Sequence, residues 1–172
     1  MNVMGFAGYS GSGKTTLIEK VLAVLVGEGF KVSLIKHAHH EFDIDQPGKD
    51  SWRHRQAGAH EVLVSSSRRW ALMHELRSGR EPDLHEQLQM LAPCDLVIVE
   101  GYKSEPIVKI EVHRAASGQP LLHLDDTRIV AIATDEKLDV ALPQFNLGNP
   151  QAVAHFIVRH LGLGKSSIHA VK

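Results

Sequence analysis

Cys94 is the only cysteine, so no intrachain disulfide can form and nothing in the thiol content points to an oxidising compartment. An excess of charge of one sign is also missing. The 19 lysines and arginines are matched by 20 aspartates and glutamates, for a formal net charge of −1 with histidine neutral. That balance supplies no global field to attract a polyanion, so no nucleic acid and no membrane is expected as a partner. No apolar run approaches the length of a membrane span, and the N-terminus lacks a basic segment followed by an apolar signal core. A cytoplasmic location is the simplest expectation. Internal repeats and low-complexity tracts are absent too.

What is there suits one buried core. At 172 residues and 43% hydrophobic composition, a single domain over 1–162 is expected, with any second lobe small. A tail over 163–172 has no apolar period and is expected to be mobile. Val3 to Ala7 reads as a strand ending in a glycine-rich turn, followed by a helix with Ile18, Val21, Leu22 and Leu25 at helical spacing. Lys31 to Lys36 resumes as a strand and completes a β-α-β unit. Farther on, Lys49 to Gly58 fits a short helix, and Glu61 to Ser65 with Trp70 to Leu76 a hairpin. Pro82 to Leu91 fits a helix with Leu84, Leu88 and Leu91 on one face. Asp95 to Val99 is the near-continuous apolar run of a strand buried on both sides. Ile107 to Val112 and Ile129 to Ala133 read as strands, and Asn149-Pro150 opens a last helix. The expected fold is α/β: a three-layer nucleotide-binding architecture with a mostly parallel sheet and an additional hairpin.

The segment Gly8-Tyr9-Ser10-Gly11-Ser12-Gly13-Lys14-Thr15 matches the G-x-x-x-x-G-K-[ST] phosphate loop (P-loop, or Walker A), and it lies between a strand and an amphipathic helix as that motif requires. Gly8, Gly11 and Gly13 allow backbone N–H groups, with those of Ser10 and Ser12, to turn toward phosphate oxygens. The helix N-terminus adds its positive end, and Lys14 a point charge for the β- and γ-phosphates. Thr15 offers a hydroxyl to Mg²⁺. A second piece is expected after a neighbouring buried strand, and Leu96-Val97-Ile98-Val99-Glu100-Gly101 supplies it. Glu100 would face the metal or the attacking water, and Gly101 would allow close approach.

His37 to Gly48 shows no period. With His37, His39 and His40 followed by Asp43, Asp45 and Lys49-Asp50-Ser51, three roles compete. The loop could order around Mg²⁺ and the γ-phosphate, with Asp45 or Asp43 as a water-mediated ligand; it could hold a transition metal; or it could be a solvated surface loop. The first, as a γ-phosphate sensor or a site for a second anionic substrate, is preferred, because the histidines lack helical metal spacing and the cysteine is far away in sequence. The pairs Arg53 with Arg55 and Arg68 with Arg69 would suit a second phosphate-bearing ligand if they converge.

Together these motifs resemble the molybdopterin-guanine dinucleotide biosynthesis protein B (MobB) family. The resemblance rests on the phosphate loop with its extra Thr16, on Ile35-Lys36-His37 and His39-His40, and on Asp43, Asp45 and Pro47-Gly48-Lys49-Asp50-Ser51. It continues through Arg69-Trp70-Ala71-Leu72-Met73, Val99-Glu100-Gly101-Tyr102-Lys103 and Lys109-Ile110-Glu111, spanning about Val3 to Asp135. It implies GTP binding with magnesium (Mg2+), slow hydrolysis, a homodimer built through extra strands, and cooperation with a MobA-like molybdopterin-guanine dinucleotide nucleotidyltransferase in molybdenum cofactor biosynthesis. Molybdopterin itself is a further candidate ligand. Two departures stand out. Ala133-Thr134-Asp135 lacks the lysine of the [NT]-K-x-D element with which GTPases read guanine, so Asp135 alone is the candidate base reader. Tyr9 occupies the place of the second lysine of dimeric P-loop ATPases. On this reading Asp45 and Glu100 are the catalytic candidates, Thr15, Asp45 and Glu100 the metal ligands, and Gly8 with Ser10 to Thr16 and Asp135 the nucleotide-binding set. A P-loop kinase acting on a small acceptor is the alternative, weakened by the lack of a compact arginine-rich lid.

Overall fold

The computed structural model describes residues 1–38 and 42–164; His39, His40 and Glu41, and residues 165–172 of the expected tail, lie outside the described residues. The chain divides into two compact units, one of residues 1–37 and 87–172 and the other of 38–86.

In the first unit, β1 (Asn2–Ala7), β2 (Val32–Lys36), β5 (Leu96–Glu100), β6 (Lys109–His113), β7 (Ile129–Thr134) and β8 (Gln144–Asn146) form one sheet in the order β2-β5-β1-β6-β7-β8. Every pairing in it is parallel. β5 is buried at all five positions, as a parallel strand covered on both faces must be. The helix α1 (Lys14–Gly27) turns Leu17, Ile18, Val21 and Leu25 inward, and α4 (Pro150–His160) turns Val153, Ala154 and Ile157 onto the same core. There they meet Met4, Phe6, Leu96, Ile98, Ile110, Val112, Ala131 and Ala133. Full burial of each large apolar side chain contributes roughly 1.5–3 kcal/mol. The start signal of α4 is realised: Asn149 Oδ1 accepts the Ala152 N–H at 3.1 Å and Pro150 takes the first turn.

The register fixes the functional edge. Phe6 is level with Glu100, Glu100 with Lys36, and Ala7 with Glu111. The residues that follow β1, β2, β5 and β6 therefore emerge together at the carboxyl end of the sheet, where open α/β folds bind ligands.

The second unit contains α2 (Asp50–Gln56) and the antiparallel hairpin β3 (Glu61–Ser65) with β4 (Trp70–His74), Leu63 standing opposite Leu72. None of the residues of α2, β3 or β4 is buried. Arg55 organises it: its guanidinium reaches Asp43 at 2.7 Å, Glu75 at 2.8 Å and Asp45 at 3.2 Å. The remaining helix, α3 (Leu84–Gln89), is shorter than the expected Pro82 to Leu91 and crosses the boundary between the units. Its start is a capping box, in which Asp83 accepts the Glu86 N–H and Glu86 accepts the Asp83 N–H, both at 2.9 Å. Among the described residues no helix is long and apolar enough to cross a membrane.

Candidate nucleotide-phosphate site

Gly8 leaves β1 with no room for a side chain. A Cβ there would lie 2.4 Å from the Val112 carbonyl oxygen and 2.8 Å from Ser12 Oγ, so the turn passes against β6 and into the helix. Gly11 (φ 78°) and Gly13 (φ 93°) adopt the left-handed conformation that side chains resist. Lys14 begins α1, and its ammonium curls back over the loop to donate to the carbonyls of Gly8 at 2.9 Å and Tyr9 at 2.8 Å. Partial desolvation holds its pKa below the usual lysine range. Glu100 opposes that shift, while Lys103 and Lys36 add to it. Ser12 is 2% exposed, and its hydroxyl has no hydrogen-bond partner among the described residues. A buried orphan donor inside a glycine-shaped cradle with a lysine at its mouth fits an anionic phosphate. Ser10, Gly11 and Thr16 are exposed on the loop and first helical turn.

On the β5 flank, Glu100 is 6% exposed. Thr15 Oγ1 donates to its Oε1 at 2.6 Å, and Lys36 Nζ lies 3.7 Å from its Oε2. A hydroxyl and a carboxylate 85 residues apart in the chain are thus brought together. Gly101 (φ 99°) follows, and a Cβ on it would come 3.1 Å from the His37 carbonyl oxygen. The His37 ring packs against Tyr102 at 5.1 Å between centroids. Lys103 places its ammonium 3.9 Å from the centre of the Tyr9 ring, so the first variable position of the loop supports a cation. These oxygen donors suit Mg²⁺, which takes one or two carboxylate or hydroxyl ligands and completes its shell with phosphate and water.

Two buried charges, quoted in the sequence only as part of the family resemblance, have roles that appear in the structure. Lys109, 1% exposed, donates to the carbonyls of Lys103 and Glu105 at 2.7 Å each and pairs with Asp126 at 2.6 Å. It pins the segment that carries Lys103. Glu111, also 1% exposed, accepts the N–H groups of Leu122 at 2.7 Å and His123 at 3.0 Å. The alternation Lys-Ile-Glu-Val-His suggests a strand with one polar face, but all five residues are buried. The only signal was the lysine and glutamate themselves, two apart on one face.

On the β6 flank, Asp135 follows β7. Its Oδ1 accepts the Ala115 N–H at 2.9 Å, and its Oδ2 faces Arg114 Nη1 at 3.4 Å. Asp45 belongs to the 38–86 unit, where it accepts from Ser51 Oγ at 2.8 Å and Arg55 Nε at 3.2 Å. Arg55 is therefore engaged with carboxylates rather than joined with Arg53 as a basic pair. Arg68 and Arg69 sit exposed in the hairpin turn.

Residues 3–135 match the family described as "MobB: Molybdopterin guanine dinucleotide synthesis protein B". The chain is 40% identical over 155 residues to a molybdopterin-guanine dinucleotide biosynthesis adapter protein of Haemophilus influenzae, covering 90% of this chain and 86% of that one. It is 38% identical to the protein of that name from Escherichia coli, covering 91% of each. Among solved structures, a crystal structure of molybdopterin-guanine biosynthesis protein B aligns with a TM-score of 0.75 at 28% identity, covering 92% of this chain and 99% of that one. The Bacillus subtilis MobB structure aligns with a TM-score of 0.74 at 26% identity, covering 94% and 98%. The parallel sheet with its strand, glycine loop and helix is a P-loop NTPase-like α/β fold, and the chain belongs to the MobB family.

Proposed function

We propose that the chain is a GTP-binding adapter in molybdopterin-guanine dinucleotide biosynthesis, which binds Mg-GTP, hydrolyses it slowly and assists a partner nucleotidyltransferase of the MobA kind in the cytoplasm. The observation that carries the nucleotide part is the convergence of Lys14, Thr15, Glu100, Lys36 and Lys103 around one glycine loop. Three lysines near one carboxylate leave an excess of positive charge, which a polyphosphate would offset. The pathway part draws on the names of the relatives.

Thr15 and Glu100 would hold the magnesium ion, which when bound neutralises charge on the β- and γ-phosphate oxygens. Glu100 already takes the Thr15 hydroxyl and faces Lys36. A carboxylate so placed positions charge beside the loop. Asp45, held by Ser51 and Arg55 within its own unit, remains a catalytic candidate, and Asp45→Asn should then lower hydrolysis while leaving GDP affinity unchanged. Loss of the 38–86 fold with unchanged hydrolysis would assign it to structure alone.

Guanine selectivity is assigned to Asp135, whose Oδ2 would accept donors of the base through its second lone pair while still facing Arg114. Leaving built polar groups unpaired costs roughly 1–3 kcal/mol each, so a GTP over ATP preference of about tenfold or more is expected. Asp135→Asn should shift that preference toward xanthosine triphosphate, and equal binding of ATP and GTP by the wild type would remove Asp135 from base recognition. A homodimer through the hairpin is supported by its exposed apolar face, with Leu63 62%, Trp70 70% and Leu72 48% exposed. A two-stranded sheet is marginal alone, and its edges and apolar face invite a second copy. Titration calorimetry with GTP, ATP and metal-free GTP tests the nucleotide reading; equal or absent heats for all three would reject it.

A further inference from the structure

We propose that Arg114 is a phosphate-binding residue of the nucleotide site and that Asp135 is the positioning residue that holds it beside the loop. This rests on the nucleotide reading above and adds to it a cation outside the phosphate-loop motif. β1 and β6 are neighbours in parallel, with Ala7 level with Glu111, so Gly8 and the residues after Val112 run along one edge. The approach is close enough that Gly8 has no space for a Cβ against Val112. Two residues beyond Val112, Arg114 Nη2 lies 3.2 Å from where a Cβ on Gly13 would stand. A guanidinium therefore rests on the loop backbone one residue before Lys14. It lies on the β6 side of β1, opposite the β5 side that carries Glu100.

Its charge is only lightly engaged. Nη1 is 3.4 Å from Asp135 Oδ2, at the outer limit of a hydrogen bond, and Asp135 Oδ1 is taken by the Ala115 N–H. The Arg114 side chain is 44% exposed and has room to turn. An arginine fork meets phosphate oxygens with two parallel donors in one fixed plane, whereas the lysines of this site act as point charges. The strand order β1-β6-β7 also sets which phosphates it meets. A nucleotide with its terminal phosphates on the loop and its base toward Asp135 after β7 passes Arg114 between them. The contact is thus to the phosphates shared by a nucleoside diphosphate and a triphosphate. An exposed ion pair that merely tied two turns would contribute little and would not touch ligand affinity.

The test is calorimetry of Mg-GTP, Mg-GDP and inorganic tripolyphosphate with the wild type, Arg114→Ala, Arg114→Lys, Asp135→Asn and the Arg114→Ala/Asp135→Asn double variant, each checked for folding by thermal melt. Arg114→Ala should weaken GTP and GDP by the same factor, about tenfold or more, with partial recovery in Arg114→Lys. Asp135→Asn keeps an acceptor for Ala115 but drops the charge. It should weaken tripolyphosphate, a probe with no base, in the wild-type background and not in the Arg114→Ala background. Wild-type affinities in Arg114→Ala overturn the phosphate contact. An unchanged tripolyphosphate affinity in Asp135→Asn overturns the positioning role. Failure of the wild type to bind any of the three ligands rejects the nucleotide reading itself, and this inference with it.

Discussion

All five residues of β5 are buried, whereas β3 and β4 have no buried residue between them. The sheet unit is held by apolar side chains from four strands and two helices closing on one core. The 38–86 unit is organised instead around Arg55 and its three carboxylates, with Phe42, Ile44, Leu63, Trp70 and Leu72 left exposed. The difference separates two tasks. A catalytic or binding edge needs strands whose ends do not move, and buried parallel strands provide them. A unit that buries little of its own apolar surface is suited to burying it against something else.

The comparison is broken most severely in the sheet unit. Phe6→Ala removes a ring that is 1% exposed, and a loss of about 3–5 kcal/mol is expected by denaturant unfolding. Met73→Ala in the hairpin, partly exposed, should cost about 1 kcal/mol or less. Similar losses at the two sites would mean that the units are not held as differently as described. The next largest effect concerns assembly. If the hairpin carries the proposed homodimer, Trp70→Lys with Leu72→Lys should halve the mass in sedimentation while the melting transition of the sheet unit persists; an unchanged mass would remove the hairpin interface.

Glu100→Gln sharpens the contrast within the sheet unit. It should raise the magnesium concentration needed for GTP binding by about tenfold and lower hydrolysis, with little change for metal-free GDP. Equal loss for GDP, GTP and metal-free nucleotide would make Glu100 structural. The smallest effect is electrostatic. Glu86, hydrogen-bonded by Arg80 and by the Asp83 N–H, has its pKa lowered to about 2 from an ordinary 4.5. A depressed carboxylate contributes stability that is complete above about 4.5 and is lost as pH falls toward 2. Glu86→Gln should therefore lower the melting temperature near neutrality, with the gap to wild type narrowing below about pH 4.5. A gap independent of pH would contradict the role of its charge.

Much of this was legible in the sequence. α1 and α4 announce themselves through apolar spacing and through Asn149-Pro150, because local signals and core contacts agree there. The phosphate loop, Glu100 and the hairpin are equally local patterns. β8 is not legible in the sequence, since Gln144-Phe145-Asn146 is three residues with one apolar side chain and exists by virtue of pairing to β7. Nor was the place of Arg114 beside Gly13 visible, because it depends on the register of β6 against β1. The partnership of Asp45 with Arg55 is hidden for a similar reason. From the sequence Asp45 reads as a candidate metal ligand and Arg55 as half of a basic pair with Arg53, whereas α2 brings Ser51 and Arg55 to Asp45.

The central claim is that the glycine loop and Lys14 bind nucleotide phosphates, and titration of Mg-GTP into the wild type and Lys14→Ala tests it most directly. The wild type should bind, and the variant should lose about a hundredfold in affinity with its thermal melt unchanged. A folded Lys14→Ala that binds Mg-GTP as tightly as the wild type would contradict the account.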